Sequence, residues 1–221
     1  MRPVSIRLPV ICVVTRARGV GGSSERRTLL GRLAAAAAAG ATMVQIRERQ
    51  LDDRQLRQFT QDVASAVRPA GALVLVNERT DVALAAGADG VHLKSNAPSA
   101  TDVREVVPSG FVIGQSVHSA IEAATAESAG GCDYLLFGTV FPSSSKPPDH
   151  PVAGVAALAE VCRRVRIPVV AIGGISIDTA RQVARAGAAG IAAISVFADA
   201  ADVEQTVRAL ADALTPSREN V

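Results

Sequence analysis

The sequence predicts a single (βα)8 TIM barrel of the α/β class, and three observations carry that expectation. Short β-rich runs alternate with helical patterns from end to end, the signature of βα units around a parallel sheet. The chain has 221 residues, close to the usual size of one such barrel and enough to bury a core without disulfides or metals. No linker divides it, so residues 1–221 read as one domain, with the last few C-terminal residues expected as a disordered tail. An open doubly wound sheet is the competing arrangement, but no G-x-G-x-x-G motif follows the first run.

Taken in order, the strands are predicted at Pro9–Val14, Thr42–Arg47, Ala72–Asn77, Gly90–Leu93, Phe111–Gln115, Tyr134–Gly138, Pro168–Ile172 and Gly190–Ser195, each followed by a helix. The triplets Ala86-Gly87-Ala88, Ala129-Gly130-Gly131 and Ala186-Gly187-Ala188 fall where a helix must stop and a strand begin, which suits the ease of glycine at positive φ. Arg2 and Arg7 before the apolar run Leu8–Val14 imitate a secretory signal, but the run is short and Arg16 and Arg18 follow it, so it reads better as the first strand. The alanine-rich tract Leu33–Ala39 falls short of the roughly 20 residues a bilayer span needs. A cytoplasmic protein with no membrane partner is therefore expected. Hydrophobic residues make up 48% and the net charge is only +2, which argues against disorder and against nucleic acid as a partner. A homo-oligomer stays open. Cys12, Cys132 and Cys162 lack metal-ligand spacing and read as small buried hydrophobes.

The chemistry-bearing residues fall at the C-terminal ends of the predicted strands, the active-site face of such a barrel. In Met43-Val44-Gln45-Ile46-Arg47-Glu48-Arg49 the period of two puts Gln45, Arg47 and Arg49 opposite Val44 and Ile46, on the lumen side. Guanidinium groups there need an anion, either a bound ligand or a neighbouring carboxylate. Asn77 ends strand three with the same parity. Ser116 and His118 share a face after strand five, and an imidazole there suits general acid/base work. His92 reads as a packing residue within strand four, and His150 as a loop residue. Gly173 and Gly174 after strand seven, with Ile194 and Ser195 after strand eight, occupy the usual place of a backbone phosphate site. The loop Pro142–Pro151 carries Ser143, Ser144, Ser145 and Lys146, hydroxyls and an ammonium able to fold over an anion.

As a series these segments resemble the thiamine phosphate synthase and TenI superfamily. The resemblance runs from Val44-Gln45-Ile46-Arg47-Glu48-Arg49 through Leu75-Val76-Asn77, Gly87-Ala88-Asp89-Gly90-Val91-His92-Leu93, Ser116-Val117-His118-Ser119 and Asp133-Tyr134-Leu135-Leu136-Phe137-Gly138 to Ala171-Ile172-Gly173-Gly174-Ile175. It implies a small-molecule thiazole phosphate as ligand, with the phosphate on Gly173, Gly174, Ile194 and Ser195. Gln45, Arg47, Asn77 and the loop-six residues would face the rest of it. The synthase branch joins a pyrimidine diphosphate to that phosphate with Mg²⁺ held by two aspartates. Here Glu78 follows Asn77 and Ala97 stands at the second position, and Arg49 replaces the usual lysine. These departures favour the other branch, a metal-independent thiazole tautomerase of TenI type needing no cofactor, in which His118 would move the proton. The synthase, with Mg²⁺ on Glu78 and with Asn96 as a second candidate ligand, is the alternative. A catalytically idle ligand-binding relative is the third.

Overall fold

In the computed structural model, which describes residues 6–16, 23–95, 97–143, 147 and 149–215, eight parallel strands close into a barrel in strict chain order. The elements run β1 Val10–Val14, α1 Ser23–Ala38, β2 Met43–Ile46, α2 Asp53–Val67, β3 Leu73–Asn77, α3 Thr80–Ala86, β4 Gly90–Leu93, α4 Ala100–Val106 and β5 Val112–Val117. They continue α5 Ala120–Ala129, β6 Tyr134–Gly138, α6 Gly154–Arg164, β7 Val169–Ile172, α7 Ile177–Arg185, β8 Gly190–Ala193, α8 Ser195–Ala198 and α9 Val203–Leu214. The barrel closes where β1 lies against β8, with Val10 opposite Gly190 and Val13 opposite Ala193.

Three C-terminal strand ends differ from expectation. β2 stops one residue earlier, at Ile46 in place of Arg47. β5 runs on to Val117 because Ser116 and Val117 continue to pair with Leu136 and Phe137 of β6. β8 stops at Ala193, where its pairing with β1 ends, and Ser195 opens α8 instead of closing the strand.

The strand period of two sorts side chains into two cores. Val44, Ile46, Val74, Val76, Val91, Leu93, Ile113, Leu135, Phe137 and Ile191 face outward and are buried under the helices. Val10, Cys12, Val14, Met43, Leu75, Val112, Tyr134, Leu136, Val170 and Ala192 fill the lumen below the mouth. Each large apolar side chain so buried contributes roughly 1.5–3 kcal/mol. Cys12 is buried as expected, whereas Cys132 and Cys162 are only partly so.

Helix starts are chemically defined. Asp52 accepts from the Gln55 N–H while the Gln55 side chain accepts from Asp52, a capping box at α2, and Ser176 with Thr179 does the same at α7. At the helix ends Gly87 and Gly187 take φ of 67° and 89°, the conformation expected of them. At the base of the barrel Asp89 accepts from the Val74 N–H at 2.8 Å and Asp133 from the Ile113 N–H at 2.7 Å. The Asp133 carboxylate is also held by Arg104 at 2.6 Å. These ties leave the opposite rim free for a site. Among the described residues no helix is long and apolar enough to cross a membrane.

Candidate active site at the barrel mouth

A cavity of about 590 Å³ opens over the C-terminal strand ends, within the range of small-molecule sites. Gln45, Arg47, Arg49, Asn77, Ser116, His118, Ser143, Gly173, Gly174, Ile194 and Ser195 all line it, so nearly every residue singled out from the sequence meets at one place. Ser144, Ser145 and Lys146 lie outside the described residues. The lining adds Arg16, His92, Lys94, Ser95 and Thr139, which sequence reasoning did not assign to the site. A second, mainly apolar cavity between β1, α1 and α8 shares Val14, Arg16 and Ile194 with this one.

A line of side-chain hydrogen bonds crosses the rim of β2, β3 and β4. The Gln45 amide donates to Asn77 Oδ1 at 2.9 Å, and Asn77 Nδ2 donates to Glu78 Oε2 at 2.9 Å. Glu78 Oε1 closes on the Lys94 ammonium at 2.5 Å. Glu78 takes φ of 64°, a left-handed conformation that is uncommon outside glycine, and its N–H donates to the His92 carbonyl at 2.8 Å. Such residues cluster at functional sites.

Arg47 is half-buried, and its guanidinium makes no ion pair among the described residues. Burial first, then the neighbouring Arg49, lowers its pKa. The lumen carboxylate that would have neutralised it is not there. Glu48 is buried beside it on the opposite parity, with neither carboxyl oxygen in a hydrogen bond. Burial raises its pKa; the nearby Thr15 hydroxyl and Arg47 oppose the shift without an aligned bond forming.

His92 is the residue that the sequence understated. It is 1% exposed, faces the lumen, and links Tyr134 OH at 3.0 Å to Ser116 Oγ at 2.8 Å through its two ring nitrogens. Alternation from Gly90 through His92 to Lys94 would have placed both His92 and Lys94 inward, opposite Val91 and Leu93. Burial pulls the His92 pKa down to about 4, so the ring is neutral at pH 7. Among the described residues Tyr134 OH has His92 Nδ1 as its one partner, so the arrangement that leaves neither the phenol nor the ring N–H idle has the phenol donating to Nδ1 and Nε2–H donating to Ser116. The Ser116 hydroxyl hydrogen is then directed to the cavity. The Tyr134 ring fits because residue 114 is glycine: a Cβ there would lie 2.1 Å from a ring carbon. Gly114→Ala is expected to destabilise by about 1–3 kcal/mol through overpacking, measured by urea unfolding.

His118 sits at the rim and is exposed, with Nδ1–H donating to the Gly138 carbonyl at 2.7 Å. Two strands along the barrel, beyond Gly138 and Thr139, Gly173 and Gly174 take φ of 101° and 62°, and a Cβ on Gly174 would meet the Pro142 carbonyl oxygen at 2.3 Å. The loop after β7 can therefore approach a ligand with bare backbone.

Among the described residues the lining holds the cations Arg16, Arg47, Arg49 and Lys94 and no carboxylate. Fold and site together define a (βα)8 barrel with a basic mouth. The sequence matches the thiamine monophosphate synthase family over residues 11–197, and the chain belongs to that family. It is 41% identical to a thiamine-phosphate synthase of Methanoculleus marisnigri, over 89% of this chain and 92% of that one. A thiamine-phosphate synthase of Chlorobium limicola is 37% identical over 96% and 97% of the two chains. Among solved structures, thiamine phosphate pyrophosphorylase from Pyrococcus furiosus superposes with a TM-score of 0.80 at 35% identity, covering 93% of this chain and 95% of its own. A 3-hexulose-6-phosphate synthase, at 18% identity and a TM-score of 0.68, shares the fold alone.

These relatives overturn the tautomerase expectation. They carry the transferase name across nearly their whole length, and the isomerase assignment built on Ala97 and Arg49 is withdrawn, together with the proton-shuttling role that it gave His118.

The metal implied by the family resemblance does not fit the residues present. Both Glu78 oxygens are engaged, one by Asn77 and one by an ammonium group, the Ala97 side chain offers no oxygen, and Asn96, the other candidate ligand, lies outside the described residues. No group of three or more His, Cys, Asp or Glu side chains among the described residues is arranged for a metal. Mg²⁺ demands oxygen ligands at near-octahedral geometry.

Proposed function

We propose that this chain is a thiamine-phosphate synthase, joining a pyrimidine methyl diphosphate to a thiazole phosphate. The observation that carries the reading is the 41% identity, over 197 residues, to a relative of that name. The reaction breaks the C–O bond between the pyrimidine methylene and the diphosphate, whose oxygen keeps the electron pair. The thiazole nitrogen lone pair forms the new C–N bond, so the ring becomes cationic and the leaving diphosphate gains one negative charge. No proton has to move.

The mouth offers a place for each part. Gly173, Gly174, Ile194 and Ser195 take the thiazole phosphate through backbone N–H groups and one hydroxyl. Arg47 and Arg49 face the diphosphate, with Lys146 and Ser145 of the loop after β6 assigned to the same anion. Ser116, with its hydroxyl hydrogen directed inward by His92, donates to a ring nitrogen of the pyrimidine, and Gln45 and Asn77 flank it. Formation of thiamine phosphate from the two purified substrates, followed by chromatography, tests the reading. No product under any metal condition would sink it.

Because the step needs no acid or base, His118→Asn is expected to lower turnover by less than about tenfold, below the hundred- to ten-thousand-fold typical of losing a proton-transfer group. An asparagine amide can keep the bond to the Gly138 carbonyl. A loss beyond a hundredfold in steady-state kcat would return His118 to the chemistry.

A further inference from the structure

Among the described residues four positive side chains and no negative one line the mouth, and the carboxylate of Glu78, outside that lining, is gripped by the Lys94 ammonium at 2.5 Å. A site so lined has ligands for a polyanion and none for a hard cation, which needs several oxygens. We propose that Lys94 is the resident cation of this site: it binds the diphosphate leaving group and neutralises its developing charge, so that the transfer runs without a divalent metal.

Three features support this. Lys94 continues the lumen-facing alternation of Gly90 and His92, so the stem of β4 aims it at the mouth. Its orientation is fixed through Glu78, which Asn77 and Gln45 fix in turn, so the charge is held in place before substrate arrives. Preorganised charge is what stabilises a leaving anion most effectively, because nothing reorganises as the bond breaks. Finally, Glu78 holds its carboxylate there from a left-handed backbone position, at a conformational cost that a surface ion pair alone does not offset. Arg47 and Arg49 complete the cluster. A diphosphate ester carries about three negative charges and gains a fourth on departure, so a cluster of cations holds it better than one alone.

The inference rests on the synthase reading for its chemistry, but its binding half can be tested without it. Inorganic diphosphate should bind the chelator-treated protein by calorimetry. Lys94→Met should weaken that binding at least tenfold while inorganic phosphate, which needs only the β7–β8 end, binds unchanged, and Lys94→Arg should restore most of the loss. Lys94 is part-exposed and packs no core, so the variants should fold. Diphosphate binding that appears only after Mg²⁺ is added, or equal binding by wild type and Lys94→Met, would overturn the proposal. In the synthase assay, product formed at an undiminished rate in excess chelator supports it, whereas strict Mg²⁺ dependence overturns it and leaves the synthase reading standing. Absence of product under every condition, with Lys94-dependent diphosphate binding intact, would remove the synthase reading and keep the cation site.

Discussion

Arg47→Met is expected to cut kcat/KM for thiamine phosphate formation by about a hundred- to a thousandfold, the effect of removing one preorganised donor from a developing anion. The guanidinium is half-buried, lines the mouth, and has no ion-pair partner among the described residues. Burial and Arg49 both work against its charge, as the direction of its pKa shift records. A charge kept under those conditions costs the folded state stability that an anionic ligand recovers. Methionine keeps the length and removes the charge, so the variant should be as stable as the wild type or slightly more so while its activity collapses. Steady-state kinetics and urea unfolding on the same preparation separate the two effects. Loss of stability in parallel with activity would make Arg47 a structural partner of Glu48 and not a ligand of substrate.

How far this site was legible in the sequence depends on which physical rule governed each residue. Alternation in a strand is short-range and strict, so the lumen parity of Gln45, Arg47 and Asn77 could be read directly, and the barrel followed from repeating it. The same rule holds for Gly90, His92 and Lys94, but in so short a buried strand parity alone does not separate a histidine that merely packs from one that orients a neighbour. What parity cannot supply is the partner across the sheet. The bond from Asn77 to Glu78 is local, but the contacts of Glu78 with Lys94 and of His92 with Tyr134 join strands far apart in sequence. Register and the left-handed turn at Glu78 decide them, and neither has a signature in one sequence. The end of β8 shows a similar limit: Ile194 and Ser195 continue an apolar strand pattern, yet the chain leaves the sheet where β1 can no longer pair.

The branch of the family is a different case. Two positions, Ala97 and Arg49, depart from the synthase pattern, and the remainder of the chain outweighs them. A ligand position is governed by local chemistry and can be replaced by another solution to the same electrostatic problem, here an ammonium beside Glu78. The loss of a metal ligand therefore speaks to how a diphosphate is held and says little about which bond is made. Identity spread over 197 residues reflects packing and site together and is not so easily replaced.

The largest pH effect on stability should come from His92. Folded, the ring is buried between Tyr134 and Ser116 with its pKa pulled from 6.5 to about 4. Unfolded, it titrates near 6.5. Between these values the unfolded chain binds a proton that the folded protein refuses, so stability is fully present above pH 6.5 and is lost as pH falls towards 4. The loss amounts to about 3 kcal/mol when complete, at roughly 1.4 kcal/mol per pH unit. Glu48 acts with the opposite sign, since its folded pKa is raised and the protein gains a proton preferentially as pH falls. The net wild-type curve therefore mixes the two, and a comparison isolates His92. His92→Gln keeps one hydrogen bond and the approximate volume but cannot titrate. The variant should be less stable than the wild type at pH 7, and the gap should narrow by about 2.5 kcal/mol by pH 4.5. Urea unfolding at pH 7.0, 5.5 and 4.5 measures it. A gap independent of pH would mean that the imidazole can take up a proton within the folded barrel, and the direction assigned to the Tyr134 bond would reverse on protonation, because a doubly protonated ring must donate to the Tyr134 oxygen while it goes on donating to Ser116.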